Sequence, residues 1–231
     1  MTTESEGIKV KICGIRTLED ALVAAEAGAD FIGIVQVPAR RRLITAVAAK
    51  ALIEGVRDGV RNSGGSMPWI VGLFADQLLD EVNSLVEYLG LDLVQLCGKE
   101  PVRYATRVNC DVIKVIHVSD AATVDDDGGA GIRSAAYREA GHLVTLDRLV
   151  EGIQGGTGQR FDWEVAAAVS QAGQPFLLAG GLDPDNVSEA IAAVNPWGVD
   201  VSSGVETDGI KDQKKIRAFV SNARAAAAKT A

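Results

Sequence analysis

Short apolar runs rich in Val, Ile and Leu alternate with longer amphipathic stretches along almost the whole chain. Each run predicts a β-strand, because it is short, rich in β-branched residues and ended by glycine or polar residues. The predicted strands occupy residues 8–13, 30–37, 69–75, 91–97, 112–117, 142–147, 175–179 and 197–201. The longer stretches have apolar residues at helical spacing, and the main predicted helices occupy residues 45–60, 77–89, 131–140, 162–172, 184–194 and 212–228.

Signals at the helix ends support this alternation. Thr17 is a predicted N-cap with Asp20 three residues later, and Gly28 ends that first helix. The stretch N-S-G-G-S-M at 62–67 fits a surface loop or a domain boundary, and we interpret it as a loop because the alternation continues beyond it. Eight strand–helix units predict an α/β fold, a single-domain (β/α)8 or TIM barrel over residues 1–231. An open doubly wound sheet is less favoured, because its first turn would need G-x-G-x-x-G where this chain has C-G-I-R.

Composition and charge argue against several classes of protein. The formal net charge of -8 opposes general binding to nucleic acid or to an anionic membrane, although local donors still allow a small anionic substrate. The three cysteines lack zinc-ligand spacing and are interpreted as reduced thiols, and the acids at 125–127 lack the spacing of a calcium loop. The sequence shows no signal-peptide pattern and no membrane-spanning apolar run, so we expect a cytoplasmic protein. It does not determine the oligomeric state.

Two consecutive apolar runs end in turns of small residues. Gly180 and Gly181 follow the seventh predicted strand, and Ser202, Ser203 and Gly204 follow the eighth. Such turns before a helix leave backbone N–H groups available for a phosphate. In (β/α)8 barrels the phosphate site is frequently built after strands seven and eight, so this pattern predicts a phosphorylated small-molecule substrate.

Catalytic groups of such barrels lie at the carboxyl ends of the strands. This rule selects Cys13, Arg42, Cys97, His117 and Asp147. A free cysteine is often only a buried packing residue, and a single strand-end histidine is as often structural as catalytic. Asp147 is the stronger candidate, because strand-end carboxylates in barrels are usually functional. His142 lies at the opposite end of its strand and is not expected to be catalytic.

Alternation along the strands predicts one ion pair. Lys11 shares a face with Cys13, and Asp200 shares a face with Ser202 in the last strand, which neighbours the first in a closed barrel. An unpaired lysine inside an apolar barrel would be costly. We therefore predict that Lys11 and Asp200 form an ion pair beneath the active site.

Motifs spread over nearly the whole chain resemble those of the phosphoribosylanthranilate isomerase family of tryptophan biosynthesis. They are K-I-C-G-I at 11–15, E-D-A-L at 19–22, A-G-A-D-F-I-G at 27–33, V-Q-L-C-G-K-E at 94–100, L-D at 146–147, G-G-T-G at 155–158, G-G-L-D-P-D-N-V at 180–187, V-D-V-S-S-G-V-E at 199–206 and G-I-K-D at 209–212. The resemblance implies a barrel enzyme without cofactor. Its reaction is the Amadori rearrangement of N-(5-phosphoribosyl)anthranilate to 1-(2-carboxyphenylamino)-1-deoxyribulose 5-phosphate.

The resemblance also implies roles for particular residues. Asp147 would be the general acid that opens the furanose ring, Cys13 the general base at C2′, and Arg42 the partner of the anthranilate carboxylate. The acid and the base need pKa values shifted in opposite directions, and we expect Lys11 and Arg42 to lower that of the thiol. The phosphate and the closing loop would involve Gly156, Gly158, Gly180, Gly181, Ser202, Ser203 and Gly204.

Two positions depart from the usual family pattern. The loop after the second strand reads Q-V-P-A-R-R-R at 36–42 in place of roughly F-x-x-x-S-x-R, and Cys97 stands where the family usually has His. These differences leave open a related barrel isomerase acting on another phosphorylated sugar. A non-catalytic barrel that binds phosphate or FMN is a further alternative. The related aminosugar isomerase of histidine biosynthesis is less favoured, because it has Asp at the position of Cys13.

Overall fold

Eight parallel strands form a closed barrel in the computed structural model, which describes residues 7–38, 40–118, 129–150, 153–154, 163–171, 173 and 175–230. Neighbouring strands pair in chain order, and β8 pairs with β1 in parallel to close the ring. The (β/α)8 prediction is therefore confirmed. The strands are β1 (Lys9–Cys13), β2 (Phe31–Val35), β3 (Trp69–Phe74), β4 (Leu93–Leu96), β5 (Asp111–Val118), β6 (Leu143–Val150), β7 (Leu177–Leu178) and β8 (Gly198–Val201).

Helices follow the strands around the barrel. Thr17 caps the first by accepting a 3.2 Å hydrogen bond from the Asp20 amide, as the sequence predicts. The second runs to Ser63, three residues beyond the predicted end, and stops where Gly64 adopts a left-handed φ of 69°. The helices are α1 (Leu18–Glu26), α2 (Ala46–Ser63), α3 (Leu79–Leu89), α4 (Val102–Ala105), α5 (Ala130–Glu139), α6 (Trp163–Gln171), α7 (Val187–Val194) and α8 (Gln213–Thr230). None of these described helices is long and apolar enough to cross a membrane.

The core has two parts because alternate strand residues face opposite sides of the sheet. Residues on one face pack between the strands and the helices and form the larger cluster, which includes Ile12, Ile34 and Phe74. Residues on the other face fill the inside of the barrel: Cys13, Phe31, Val35, Val71, Leu73, Leu93, Ile113 and Leu177. The inward face of β1 therefore carries Cys13, and by the same alternation Lys11.

Candidate active site

A cavity of about 340 Å³ opens at the carboxyl ends of the strands, and every strand or the turn after it contributes to its lining. All five residues that the strand-end rule selected meet there: Cys13, Arg42, Cys97, His117 and Asp147. Four of the residues predicted to bind phosphate also line it, namely Gly180, Gly181, Ser202 and Ser203. Gly156 and Gly158 lie outside the described residues. His142, at the amino end of β6, is not among the residues that line this cavity.

The ion pair predicted beneath the site is present. The Lys11 Nζ atom lies 2.8 Å from Asp200 Oδ2, and the two side chains are 0% and 6% exposed. The two residues are register partners in the pairing of β1 with β8. Burial acts to lower the pKa of Lys11, but the Asp200 carboxylate and Cys13 outweigh it and raise that pKa. Lys11 is therefore a permanent cation below Cys13.

Cys13 ends β1 and points into the cavity, where it is 6% exposed. Gly33 is its register partner in β2, and a Cβ atom at Gly33 would lie 3.0 Å from Cys13 Sγ. Glycine at this position therefore leaves room for the thiol. The Cys13 carbonyl accepts a 3.2 Å hydrogen bond from Ser202 Oγ, which ties the end of β1 to the turn after β8.

Burial raises the pKa of the Cys13 thiol, although the charges of Lys11 and Lys211 act in the opposite direction. Lys11 thus acts in the expected direction, but the net shift of the Cys13 pKa is upward because burial has the larger effect. Arg42 was also expected to contribute, but its guanidinium is occupied by a carboxylate, as described below. Burial removes water from the thiolate, and this destabilises it more than the nearby ammonium groups stabilise it.

The raised pKa gives a testable pH dependence. In a Cys97→Ser, Cys110→Ser background, alkylation of Cys13 by iodoacetamide should be slow at neutral pH and should accelerate as the pH rises, because only the thiolate reacts. Mass spectrometry of the labelled protein measures this rate. A rate that is already maximal at neutral pH would contradict the assignment of a neutral thiol.

Asp147 lies across the cavity mouth from β1, at the point where β6 stops pairing with β7. The last parallel pair between those strands is Leu146 with Leu178, so Asp147 is the next residue of β6. Beyond it β6 continues to Val150 and pairs antiparallel with residues 153–154, which extends the predicted strand. The Asp147 side chain is half-buried and lines the cavity.

His117 is the register partner of Asp147 on β5. Its Nε2 atom lies 3.3 Å from the Cys97 carbonyl oxygen, and because a carbonyl only accepts, Nε2 carries the hydrogen. Burial lowers the pKa of His117, with the Cys97 carbonyl opposing the shift. The ring is therefore neutral near pH 7. Its Nδ1 atom is buried and has no hydrogen-bond partner among the described residues.

Cys97, which stands where the family usually has His, is also a neutral thiol. Burial raises its pKa to about 12. The Gln95 Nε2 atom lies 3.6 Å from Cys97 Sγ. The loop after Cys97 is fixed by Lys114, whose ammonium donates to the Gly98 carbonyl at 2.6 Å and to Glu100 at 2.7 Å.

The arginine loop is held by a carboxylate that the sequence reasoning missed. Arg42 Nε and Nη2 donate to Glu206 at 2.6 and 3.0 Å, and Arg41 Nη2 donates to the same carboxylate at 2.7 Å. Gly14, with φ of 75°, lies directly under the Arg42 side chain, and a Cβ there would collide with Arg42 Cδ. Only glycine at position 14 lets the backbone lie this close to Arg42 without displacing its side chain.

Glu206 reaches this position through a small hairpin after β8. Glu206–Thr207 pairs antiparallel with Ile210–Lys211, and Asp208 and Gly209 between them have φ of 52° and 78°. Two positive φ values are the mark of a type I′ turn, for which Asp-Gly is a preferred sequence. The dipeptide at 208–209 is the signal that could have revealed this hairpin from the sequence.

The turn after β7 is rigid because its own side chains hold it. Gly180 and Gly181 have left-handed φ values of 90° and 73°. The Asn186 side chain donates to the Gly181 carbonyl at 2.8 Å and accepts from the Asp183 amide at 2.9 Å. Gly204, also predicted to bind phosphate, does not line the cavity; it packs against the Leu182 carbonyl, with which a Cβ would collide.

The site has no cluster typical of a metal centre in the part of the chain that the structure describes. Within residues 7–38, 40–118, 129–150, 153–154, 163–171, 173 and 175–230, no three His, Cys, Asp or Glu side chains are grouped so as to hold an ion. The described lining of the cavity offers for chemistry the thiols of Cys13 and Cys97, the carboxyl groups of Asp147 and Asp200, a neutral imidazole and several cations.

Comparison with known proteins connects this geometry with one family. A profile of the family N-(5'phosphoribosyl)anthranilate (PRA) isomerase matches residues 10–222. The N-(5'-phosphoribosyl)anthranilate isomerase of Roseiflexus castenholzii is 42% identical over 94% of this chain and 99% of that protein. Among solved structures, monomers of the dimeric phosphoribosylanthranilate isomerase of Thermotoga maritima are similar, with a TM-score of 0.77 and 32% identity over 94% of this chain and 99% of that one.

A second solved structure is informative because it contains a ligand. It is a phosphoribosyl anthranilate isomerase in complex with reduced 1-(o-carboxyphenylamino)-1-deoxyribulose 5-phosphate. It has a TM-score of 0.72 and 31% identity to this chain, over 94% of this chain and 99% of that one. These matches extend over nearly the whole length of each protein. The chain therefore belongs to the N-(5'-phosphoribosyl)anthranilate isomerase family.

Proposed function

We propose that this chain catalyses the rearrangement of N-(5-phosphoribosyl)anthranilate to 1-(2-carboxyphenylamino)-1-deoxyribulose 5-phosphate, with Asp147 as general acid and Cys13 as general base. The observation that carries the proposal is that both side chains line one cavity, which Arg42 and the turns after β7 and β8 also line. Family membership and a related enzyme that binds the reduced product support it.

In the proposed first step Asp147 protonates the ring oxygen of the ribose. The bond from that oxygen to C1′ breaks, and the nitrogen lone pair forms a cationic Schiff base at C1′. Asp147 becomes a carboxylate. Because a positioned acid of this kind acts on the leaving oxygen itself, the step needs no other electrophile.

In the second step the Cys13 thiolate removes the proton from C2′. The electrons of that C–H bond neutralise the Schiff base and give an enolamine, which tautomerises to the ketone. Before the substrate binds, only a small fraction of Cys13 is thiolate, because burial disfavours the charge and raises the pKa. The positive nitrogen formed in the first step favours the thiolate, and Lys11 adds a fixed positive charge below it.

The substrate's two anionic ends would each meet groups that line the cavity. The phosphate would bind backbone N–H groups of the turns at Gly180–Gly181 and Ser202–Ser203. Asn186 and Lys211 donate hydrogen bonds to carbonyls of these turns. The anthranilate carboxylate would pair with Arg42. The three arginines at 40–42 supply positive charge at the mouth of a protein whose net charge is -8, which favours entry of an anionic substrate.

A direct assay tests the proposal. The purified protein should convert N-(5-phosphoribosyl)anthranilate in buffer containing a chelator and no added cofactor, with the product measured by chromatography. A folded protein that binds other sugar phosphates but leaves this substrate unchanged would favour an isomerase of altered specificity. Copurification of a yellow flavin without turnover would favour a binding barrel. Either outcome would overturn the assignment.

A further inference from the structure

Glu206 lies between the two loops that receive the ends of the substrate, and its role is not explained by the acid–base chemistry. Its side chain is only 5% exposed. It accepts hydrogen bonds from Arg42 and Arg41 on the loop after β2, and from Lys211 Nζ at 3.1 Å on its own hairpin. One carboxylate is thus shared by three cations from two separate loops.

The surroundings keep this carboxylate ionised. Burial would raise the pKa of Glu206, but the bonds from Arg42 and Arg41 and the charge of Lys211 lower it to about 2. Bonds between ionised partners are shorter and stronger than neutral ones, and Arg42 uses two donors on the same carboxylate. The guanidinium of Arg42 therefore has a fixed position at the cavity wall, where the side chain is 17% exposed.

The same cluster extends to the phosphate side. Lys211 Nζ donates to the Ser202 carbonyl at 2.7 Å as well as to Glu206. Ser202 in turn bonds to the end of β1 through the Cys13 carbonyl. A continuous path of hydrogen bonds thus leads from Arg42 through Glu206 and Lys211 to the turn after β8.

We infer that Glu206 is a positioning residue that fixes the separation between Arg42 and the Ser202–Ser203 turn, so that the site selects ligands carrying a carboxylate and a phosphate together. This inference rests on the proposed function, since it concerns how that substrate is held. Without Glu206, the Arg42 side chain could take several rotamers. Fixing one of them on binding would then cost conformational entropy and weaken the affinity for the ligand.

The test compares ligands that use one end of the site with a ligand that uses both. The probes are ribose 5-phosphate, which has only the phosphate, and reduced 1-(o-carboxyphenylamino)-1-deoxyribulose 5-phosphate, which has both anions. In Glu206→Gln the affinity for the two-anion probe should fall by about 10- to 100-fold, the effect expected for a hydrogen bond to a charged group. The affinity for ribose 5-phosphate should stay unchanged, and KM for the substrate should rise more than kcat falls.

A matched control removes a carboxylate elsewhere. Glu26 forms an exposed pair with Arg217 at 2.9 Å on the outer helices, and Glu26→Gln should leave both affinities unchanged.

If Glu206→Gln does not fold, Glu206→Asp keeps the charge but shortens its reach, and should still weaken the two-anion probe more than ribose 5-phosphate. Equal weakening of both probes, or no weakening of either, would overturn the inference. Absence of turnover in the wild type would instead overturn the proposed function.

Discussion

Replacing Asp147 by Asn should lower kcat/KM for N-(5-phosphoribosyl)anthranilate by about 100- to 10,000-fold, the usual contribution of a positioned acid or base. Asn has nearly the same shape but cannot release a proton to the ring oxygen. Asp147 lines the cavity directly after the last residue of β6 that pairs with β7, so the substitution leaves the pairing of the strands intact. Steady-state kinetics and the affinity for the reduced product measure the effect, and that affinity should change little.

Asp58 supplies the control for this substitution. It lies on α2 in an exposed pair with Arg61, with both side chains 68% exposed, so Asp58→Asn should keep full activity. An Asp147→Asn enzyme within about tenfold of the wild type would show that another group protonates the ring oxygen. His117, the register partner of Asp147, would then be the next residue to examine.

Replacing Cys13 by Ser should cost about as much, 100- to 10,000-fold in kcat/KM, because a serine hydroxyl is far too weak an acid to supply the base. Serine is slightly smaller than cysteine, so the space left by Gly33 accommodates it. Binding of ribose 5-phosphate should be retained, since the phosphate turns are unchanged. The kinetic loss should therefore lie mainly in kcat.

Cys110→Ser is the corresponding control, because Cys110 lies immediately before β5, at the amino ends of the strands and away from the cavity. Its substitution should not change kcat. If Cys13→Ser retained most of the wild-type rate, the removal of the C2′ proton would have to be assigned to another group. A loss of ribose 5-phosphate binding in the same variant would instead show that the substitution disturbs the bond from Ser202 to the Cys13 carbonyl.

The features that could be predicted from sequence are those that depend on local pattern and on the geometry common to closed barrels. Apolar runs identified the eight strands, and the strand-end rule then brought Cys13 and Asp147 to one cavity. The pairing of Lys11 with Asp200 followed from alternation and from the adjacency of the first and last strands. In each case one periodicity and one topological rule determined the result.

The remaining features depend on contacts that no local pattern reports. Arg42 and Glu206 are separated by 164 residues, and their contact depends on the paths of two loops. The pKa of Cys13 depends on how completely the surrounding barrel removes water, which outweighs the cations that the sequence does reveal. The extension of β6 beyond Asp147 depends on its pairing with residues 153–154.

The pair between Lys11 and Asp200 also has a consequence for biosynthesis. Its members are 189 residues apart and join the first strand to the last. During translation Lys11 and Cys13, the proposed base, emerge early, but Asp200 emerges only 189 residues after Lys11, together with the turn at Ser202. A nascent chain that is released before its eighth strand therefore carries the Cys13 thiol without Asp200 and the Ser202 turn, and synthesis through the eighth strand is a precondition for turnover.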